Sequence, residues 1–531
     1  MKKLPIGIQN FRKIIEGDYI YIDKTQYVYD LIDNASYYFL SRPRRFGKSL
    51  LLDTIAEVFS GDKELFKGLW IYDSGYAFPK HPVIRLDMSR IANENPAILK
   101  ESILSRLKEI CSAEGLEIED TIVSDVFAKL ISLLCKKYDQ RVVVLIDEYD
   151  KPILDHITEI DLADENRKVL RGFYGILKSM DACLRFTLIT GVTKFSKTFV
   201  FSELNNLSDI TLHEDFAGIC GIPVESLDTC FGEHMESLAA SKNLSRYESI
   251  RDGILAWYDG YSWDGETRLI NPFSLLSFFS ARRFSGFWYA SGTPGFLVDM
   301  IKRKPETFLT LKNLEMSERV LDLFDIRSME IEPLLFQTGY LTVESILLEY
   351  GPPIYRLTMP NLEVREAFSL QVMAELTEKG DFFAETAYRR MKESLAEGDL
   401  QKMLDILRGL FASIPYELHV KQEAYYHSIF YAVMSVLGFD VDAEVSVSKG
   451  RVDAVLALED KVYVMEFKYE ACPPDASDEA KQKLFSDTLD EAMAQIGDRG
   501  YADRYRGSGK SVVRAAFAFL GRDEIEMRVE L

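Results

Sequence analysis

The chain of 531 residues is too long for one hydrophobic core, and its length predicts about three domains. With 47% hydrophobic and 28% charged residues it has the composition of an ordinary soluble globular protein, without an apolar run that could span a membrane. A net charge of −21 argues against broad attraction to nucleic acid or anionic membranes, but it leaves room for a local basic groove. Six scattered cysteines and an N-terminus without a signal-peptide core predict a cytoplasmic protein with reduced thiols.

The first informative stretch is the loop FLSRPRRFGKS, which follows the apolar run SYYFL and leads into a helix predicted over residues 50–59. Residues 37–52 carry four basic side chains and no acid, and this local inversion of charge indicates an anion site. A phosphate-binding loop normally opens with glycine, but Arg42 occupies that position here. The loop is therefore either a nucleotide site with an altered first turn or a basic loop that contains GKS by chance.

The elements after this loop alternate between strands and helices. Strands are predicted at residues 81–89, along the apolar run that follows Arg141, and at residues 185–192. Helices are predicted around residues 97–111, 124–138 and 165–180. This alternation predicts a parallel sheet covered on both faces, whose ligands bind beyond the carboxyl ends of the strands. The GKS loop, an Asp-Glu pair and the segment TGVTK all fall at that edge.

The residue types at this edge suit nucleotide chemistry. Gly47 lets backbone N–H groups approach phosphate, Lys48 reaches the β and γ oxygens, and Ser49 can ligate Mg²⁺. Asp147 at a strand tip can hold the magnesium through water, and Glu148 is placed to polarise an attacking water. Each motif is common alone, but their order and their strand–loop–helix context favour a nucleotide site.

Two further features of this region concern the type of ATPase. Thr190 is a candidate sensor of the γ-phosphate, although a threonine at a strand end is as often a helix cap. The strand VIRLDM lies along the chain between the GKS loop and the Asp-Glu pair. This order is typical of ATPases with an inserted central strand and a catalytic glutamate.

Eight short motifs follow one another along most of the chain: LPIGIQNF, YIDKT, FLSRPRRFGKSLLL, LIDEYDKPI, LITGVTKFSK, LNNLSDIT, WYDGYSW and NPFSLLSFF. They resemble the motifs of the bacterial AAA-ATPase-like proteins, which commonly carry a PD-(D/E)XK nuclease-like domain at the C-terminus. In that family the loop ordinarily begins with Arg, so Arg42 departs from the general pattern but not from its relatives. Arg44 and Arg45 either contact phosphate or face solvent. The expected nucleotide-binding residues are Arg45, Phe46, Gly47, Lys48, Ser49, Asp147 and Thr190.

The resemblance implies an α/β fold in which a P-loop NTPase parallel sheet with a helical lid precedes a smaller α/β PD-(D/E)XK nuclease-like domain. The aromatic-rich segment 254–297 is interpreted as packed lid core in preference to a substrate-stacking surface, and Arg282 or Arg283 in it is a candidate sensing arginine. The predicted domains are the AAA-ATPase-like P-loop domain (1–215), the helical lid (216–300), a helical connector (301–410) and the nuclease-like domain (411–531).

The C-terminal part contains two predicted strands, RVDAVLAL and KVYVMEFKYE, joined at residues 459–460. A two-residue turn places Asp453 directly opposite Glu466, and the two carboxylates repel each other unless a divalent cation offsets the repulsion. Glu466 and Lys468 share one face, while Phe467 points the other way into the core. This arrangement suits metal-dependent phosphodiester cleavage, in which the acids hold Mg²⁺ and the lysine positions or activates water.

Neighbouring segments extend the resemblance to the PD-(D/E)XK core. A predicted helix over residues 422–439 carries Glu423, which matches the helix acid of that core, and Gln495 matches its later helix glutamine. The first metal ligand and the ExK pair are matched by Asp453, Glu466 and Lys468. All the principal positions are filled, although the same core serves as an inert binding platform in some relatives.

The sequence therefore predicts an ATP- and Mg²⁺-binding ATPase, with Glu148 as its catalytic residue, coupled to a Mg²⁺-dependent nuclease that acts on nucleic acid, with DNA favoured over RNA. The alternative is an ATP-controlled switch or scaffold with an inert nuclease-like binding domain. A kinase is set aside because neither a kinase-type Gly-rich loop nor an HRD-like loop occurs. Homo-oligomerisation is a further expectation, since ATPases of this class often act in trans, and no membrane partner is expected.

Overall fold

The chain divides into two units, residues 1–292 with 315–363 and residues 293–314 with 364–531. The computed structural model describes residues 1–194, 206–239, 249–288, 314–321, 330–348, 351–377, 379–412, 433–434, 437, 440–446, 449–457, 461–470, 472, 476–498, 510–520 and 524–530. The four-part division at residues 215, 300 and 410 stays a prediction.

The first unit is built on a parallel sheet of five described strands. They are β1 (Tyr37–Ser41), β2 (Val83–Asp87), β3 (Val142–Asp147), β4 (Leu184–Gly191) and β5 (Ser208–Asp209), in the order β2-β3-β4-β1-β5. All of their pairings are parallel, and every residue of β1 and β3 is buried, which explains their continuous apolar sequences. The predicted parallel sheet is therefore confirmed. The inserted central strand is β4, between β1 and β3, whereas the VIRLDM strand is β2, on the far side of β3.

Helices surround this sheet. The α-helices up to residue 281 are α1 (Phe11–Glu16), α2 (Thr25–Asn34), α3 (Lys48–Ser60), α4 (Trp70–Asp73), α5 (Pro96–Ala113), α6 (Val123–Tyr138), α7 (Lys151–Leu154), α8 (Ile160–Ser179), α9 (Ser226–Ala239), α10 (Ile250–Tyr258) and α11 (Pro272–Ala281). The predicted helices occur, with one clear shift at the start of α8. That helix begins five residues before the predicted start because its first turns bury Ala163 and the ion-paired Asp164, a polar residue that periodicity assigns to solvent.

Aromatic residues of the predicted lid pack into a hydrophobic core, as interpreted from the sequence. Trp257, Tyr258, Phe278 and Phe279 belong to one buried cluster.

The remaining elements up to residue 377 are two small sheets and three helices. The antiparallel pair is β6 (Ile222–Pro223) with β7 (Leu269–Ile270), and the second sheet has β8 (Leu314–Ser317), β9 (Thr342–Leu347) and β10 (Ile354–Thr358) in the order β8-β10-β9. The helices are α12 (Glu318–Leu321), α13 (Ile331–Thr338) and α14 (Leu362–Thr377).

The second unit contains a mixed sheet with the strand order β11-β12-β13-β14-β15. Only the β13–β14 pairing is parallel among its described pairs. A long helix, α17, covers β13 and β14 through Phe485, Leu489 and Ala492. The elements are α15 (Asp381–Glu397), α16 (Leu400–Ala412), β11 (Asp440–Ser446), β12 (Lys449–Ala457), β13 (Lys461–Glu470), α17 (Asp478–Asp498), β14 (Ser511–Leu520) and β15 (Glu524–Glu530). Most of the helix predicted over residues 422–439, Glu423 included, lies outside the described residues.

The cysteines and the described helices have two further general properties. All six cysteines are free thiols. Within the described part of the chain, no helix combines the length and the apolar character that crossing a bilayer requires.

Candidate nucleotide and nuclease sites

The GKS loop connects β1 to α3 and ends in a left-handed glycine. Gly47 has φ 99°, and a Cβ added there would meet no atom within 4 Å, so backbone conformation and not crowding favours glycine. Lys48 and Ser49 are the first residues of α3. The free N–H groups and the dipole of a helix N-terminus stabilise a bound phosphate, which is the chemistry that the sequence predicts for this position.

Lys48 is folded over its own loop. Its side chain is buried, and its Nζ donates to the carbonyl oxygens of Arg42 at 2.8 Å and Pro43 at 2.9 Å. Burial lowers the pKa of Lys48, while the nearby carboxylates of Asp147 and Glu148 raise it. The ammonium group is thereby held between the loop and the acids that end β3.

A cavity of about 440 Å³ lies against this loop, within the range of small-molecule sites. It is lined by Pro5, Ile6, Gly7, Ile8, Gln9, Arg44, Arg45, Phe46, Gly47, Lys48, Ser49, Leu50, Ser89, Glu148, Lys151, Pro272, Phe273 and Leu276. The lining contains four cationic side chains and one carboxylate, so its charge suits a polyanion. The loop residues predicted from sequence, Arg45 to Ser49, all lie in this lining, and Asp147 and Thr190 do not.

The N-terminal segment forms part of this cavity wall, which sequence reasoning missed. Asp53 of α3 accepts hydrogen bonds from the backbone N–H of Phe11 at 2.6 Å and from the Asn10 side chain at 3.1 Å. These bonds fasten the start of α1 to α3 and place residues 5–9 over the phosphate loop. The motif LPIGIQNF marks this segment in the sequence, but the sequence alone does not connect its residues with the nucleotide site.

The carboxyl ends of β3 and β4 meet beside the cavity. Thr190 is buried and donates to Asp147 Oδ1 at 2.6 Å, and the Glu148 backbone N–H donates to the same oxygen at 3.1 Å. The structure thus gives Thr190 the task of orienting Asp147, while its predicted role as a γ-phosphate sensor stays a prediction. Asp150, which sequence reasoning passed over, is fully buried and accepts from the Thr193 backbone N–H at 2.6 Å. This bond fixes the segment after β3 to the segment after β4.

Glu148 adopts an unusual backbone conformation at the cavity. Its φ of 51° lies in the left-handed region, which costs a non-glycine residue about 1 kcal/mol and recurs at functional sites. Burial raises the pKa of the Glu148 carboxyl, and Lys48 counteracts that shift. Glu148 lines the same cavity as Lys48 and Ser49, and its predicted role of polarising an attacking water stays a prediction.

Arg42 holds the phosphate loop from inside the protein. Its guanidinium is fully buried and donates to the carbonyl oxygens of Thr211 at 2.8 Å and Phe216 at 3.2 Å. It also lies 4.0 Å from the centre of the Trp263 ring, a cation–π contact. Arg42 is not among the residues that line the cavity. The arginine in place of the first glycine is therefore a structural tie between the loop and the chain after β5.

Replacement of Arg42 by glycine is expected to destabilise the first unit by about 3 kcal/mol, because three buried carbonyl groups and the Trp263 ring lose their partner. Calorimetric unfolding of full-length Arg42→Gly measures this loss. Arg45→Gly is the matched control, since Arg45 is exposed and has φ 66°, where glycine relieves strain. Its stability should be unchanged or slightly raised. Equal effects of both substitutions would contradict the structural role of Arg42.

The other arginines of this region separate into two groups. Arg44 and Arg45 line the cavity, and the Arg45 guanidinium lies 4.9 Å from the centre of the Phe273 ring. Arg282 and Arg283 are exposed just beyond the C-terminal end of α11, whereas Phe273, near its start, lines the cavity. The cations at this described cavity therefore come from the phosphate loop and from Lys151.

In the second unit, the predicted hairpin register is confirmed. Asp453 of β12 pairs with Glu466 of β13, and Asp442 of β11 pairs with Asp453, which places three acids in one row across neighbouring strands. Asp442 is an acid that sequence reasoning missed, because a register with β11 requires the position of a third strand. Phe467 stacks on Phe517 with ring centres 4.6 Å apart, so it points into the core as predicted.

Helix α17 brings two side chains to the ExK pair. With its amide oriented to satisfy both neighbours, Gln495 donates to Glu466 Oε1 at 2.6 Å and accepts from Lys468 Nζ at 3.2 Å. Glu491, one helical turn earlier, forms an ion pair with Lys468. The predicted residues Glu466, Lys468 and Gln495 are thus together, and Glu491 is a further member that helix spacing from Gln495 could have indicated.

The carboxylates of this site fit Mg²⁺ by chemical type, since oxygen ligands are those that the ion prefers. Glu466 is 1% exposed and Lys468 is 9% exposed, so an acid and its lysine are held in a largely buried position. The side chain of Asp453 lies outside the described side chains. Among those described, no three His, Cys, Asp or Glu side chains form a metal-binding group.

Comparison with known proteins identifies the families that two stretches of the chain resemble. Residues 5–201 match the AAA-ATPase-like family, described as predicted AAA-ATPases, and residues 421–528 match the PD-(D/E)XK nuclease superfamily. The chain is 37% identical over 518 residues to a protein of Azotobacter chroococcum mcd 1 named as an uncharacterized protein in the vnfD 5′ region, an alignment that covers 96% of this chain and 95% of that protein. The chain therefore belongs to the family of AAA-ATPase-like proteins with a C-terminal domain of the PD-(D/E)XK nuclease superfamily.

Proposed function

We propose that the protein is an ATP hydrolase whose nucleotide cycle controls a Mg²⁺-dependent nuclease domain. The observation that carries the proposal is the cavity in which the start of α3, Lys48 and Glu148 meet. A helix N-terminus with cations suits the phosphates of a nucleotide, and a carboxylate opposite them suits activation of water. ATP and Mg²⁺ are the cofactors that this set of groups would take.

Each group in the nucleotide site has a defined task. The N–H groups around Gly47 and the ammonium of Lys48 bind phosphate oxygens, and Ser49 with Asp147 holds the magnesium, which neutralises charge that develops on the phosphates. Glu148 orients the attacking water and accepts its proton. The hydroxyl of Thr190 keeps Asp147 in place.

The nuclease domain acts on nucleic acid, with DNA as the favoured substrate. Asp453 and Glu466, paired across β12 and β13, provide the metal ligands, and Lys468 steadies the charge that develops at the scissile phosphate. Support for an intact site comes from α17, whose Gln495 and Glu491 contact the ExK pair. Glu423 supplies the helix acid in this proposal, as the resemblance implies.

Binding of ATP by the purified full-length protein tests the first half of the proposal. Lys48→Ala is expected to weaken ATP binding about 10- to 100-fold in calorimetric titrations, the effect of losing one charge-assisted contact with phosphate. Lys67→Ala, a change at an exposed lysine outside the cavity, is the matched control and should bind as the wild type does. Wild-type protein that does not bind ATP would reject the proposal.

A hydrolysis assay beside the titration separates the proposal from its alternative, a nucleotide-controlled switch or scaffold. ATP binding without hydrolysis by the wild type, with or without DNA, would favour the switch, and the nuclease-like domain would then be tested as a docking platform. Hydrolysis that DNA stimulates would favour an enzyme that acts on nucleic acid.

A further inference from the structure

A hydrogen-bonded path leads from the phosphate loop to a buried carboxyl group. Trp288 Nε1 donates to the carbonyl oxygen of Arg44 at 3.1 Å, and the Trp288 backbone N–H donates to Glu363 Oε1 at 2.7 Å. Glu363 Oε2 accepts from the hydroxyl of Ser274 at 2.6 Å. Trp288 and Glu363 lie well beyond residues 5–201, the stretch that matches the AAA-ATPase-like family.

Burial of the Glu363 carboxyl group costs free energy unless hydrogen-bond donors compensate for the lost water. Glu363 is 1% exposed, and burial raises its pKa to about 7. A buried carboxyl group is stabilised by hydrogen-bond donors. Each oxygen of Glu363 accepts one hydrogen bond, and the two donors lie in different segments of the chain. Ser274 belongs to the first turn of α11, next to Phe273 of the cavity wall, and Trp288 belongs to the chain that follows α11. Glu363 therefore fixes both segments relative to each other.

Trp288 and Gly339 contact the phosphate loop at Pro43 and Arg44. The indole packs edge to face on Tyr340, with ring centres 5.3 Å apart. Gly339 has φ 93°, and a Cβ added there would come within 2.7 Å of the Pro43 ring. Only a glycine lets Pro43 approach so closely. Pro43 and Arg44, the middle of the RPRR sequence, thus rest on Gly339 and Trp288.

We propose that Trp288 and Glu363 are positioning residues for the phosphate loop. Glu363 sets the position of Trp288, and the Trp288 indole holds the Arg44 carbonyl group, which orients the peptide units that lead to Gly47. The N–H groups of the loop are thereby directed at the phosphates before a nucleotide arrives, which reduces the ordering that binding requires. This inference rests on the proposed function for the identity of the ligand.

Conservative substitutions distinguish positioning of the phosphate loop by Trp288 and Glu363 from a contribution of these residues to the stability of the fold. Trp288→Phe keeps an aromatic ring against Tyr340 and removes the indole donor, so ATP affinity should fall about three- to tenfold, the effect of one hydrogen bond. Glu363→Ala should weaken binding at least as much. Glu363→Gln should restore it, because an amide can accept from the Trp288 N–H and donate to the Ser274 oxygen. Trp257→Phe, a matched change in the hydrophobic core of the same unit, should bind ATP as the wild type does.

A second measurement on the full-length protein needs no nucleotide. In protein labelled with 5-fluorotryptophan, the ¹⁹F resonance of Trp288 is assigned by its loss in Trp288→Phe. Glu363→Ala should shift that resonance, and Glu363→Gln should leave it close to its wild-type position. If Glu363→Ala does not fold, the phenylalanine and glutamine variants still carry the test.

The outcomes distinguish this inference from the proposed function. Wild-type affinity in Trp288→Phe, or an unshifted resonance in Glu363→Ala, would overturn the positioning role. If the wild type bound no ATP but the resonance moved in Glu363→Ala and not in Glu363→Gln, the positioning of Trp288 by Glu363 would stand and the proposed function would fail.

Discussion

Replacement of Glu148 by glutamine is expected to lower the turnover number for ATP hydrolysis about 10²- to 10³-fold, while ATP affinity stays within about threefold of wild type. The amide has nearly the size of the carboxylate, so the left-handed backbone at φ 51° and the lining of the cavity are retained. What is lost is the carboxylate that, in the proposed mechanism, orients the attacking water and accepts its proton. Steady-state hydrolysis and equilibrium binding of ATP, measured on the same preparations, provide the two values.

Glu165→Gln is the matched control for this prediction. Glu165 is exposed on α8 and does not line the cavity, so the same change of charge there should leave turnover at the wild-type value. A loss of affinity equal to the loss of turnover in Glu148→Gln would place Glu148 in nucleotide binding, not in the chemical step. Unchanged turnover would remove it from the mechanism.

The parts of the fold that sequence predicted are those encoded over short distances. The continuous apolar runs of β1 and β3 required burial on both faces, and the Asp-Glu pair at the end of β3 had to fall at the sheet edge. The pairing of Asp453 with Glu466 followed from one assumed turn and the period of two along a strand. In each case the deciding information lies within about twenty residues of chain.

The parts that sequence did not predict depend on contacts between distant segments. Arg42 donates to a carbonyl 169 residues away, and the Trp288 indole donates to one 244 residues away. Contacts between residues so far apart produce no periodic pattern in the sequence. The sequence therefore does not distinguish a buried arginine such as Arg42 from an exposed one. An inserted central strand was predicted, but its identity as β4 was not, since the order along the chain does not give the order in the sheet.

The proposed nucleotide site and the proposed nuclease site differ in how their acids are supported. Thr190 and a backbone N–H hold Asp147 at the end of its strand, so this acid is fixed by its own sheet. In the second unit the support comes from a helix, since Gln495 and Glu491 of α17 contact Glu466 and Lys468. Packing of α17 on β13 and β14 therefore determines where the ExK side chains are held.

Cleavage of DNA in the presence of Mg²⁺ is expected to fall about 10³-fold in Glu466→Gln and in Asp453→Ala, because the metal's stabilisation of developing charge is worth several kcal/mol. The register places Asp453 directly opposite Glu466, and like charges at such positions destabilise a sheet, so in the absence of Mg²⁺ the same glutamine should raise the free energy of unfolding by up to about 1 kcal/mol. A substitution that abolishes cleavage and increases stability identifies a site kept for function. Plasmid cleavage and thermal unfolding of the full-length variants measure the two effects.

The control for this experiment is Glu530→Gln, at an exposed acid on β15 that pairs with Arg514. It should cut DNA as the wild type does and gain no stability from the lost charge. Equal cleavage by wild type, Asp453→Ala and Glu466→Gln would assign the activity to a contaminant and leave the domain as a binding platform. Loss of cleavage together with loss of stability would mean that Glu466 is needed to hold α17 on the sheet, since Gln495 of that helix donates to it. Only the opposite signs of the two effects support a metal-binding pair.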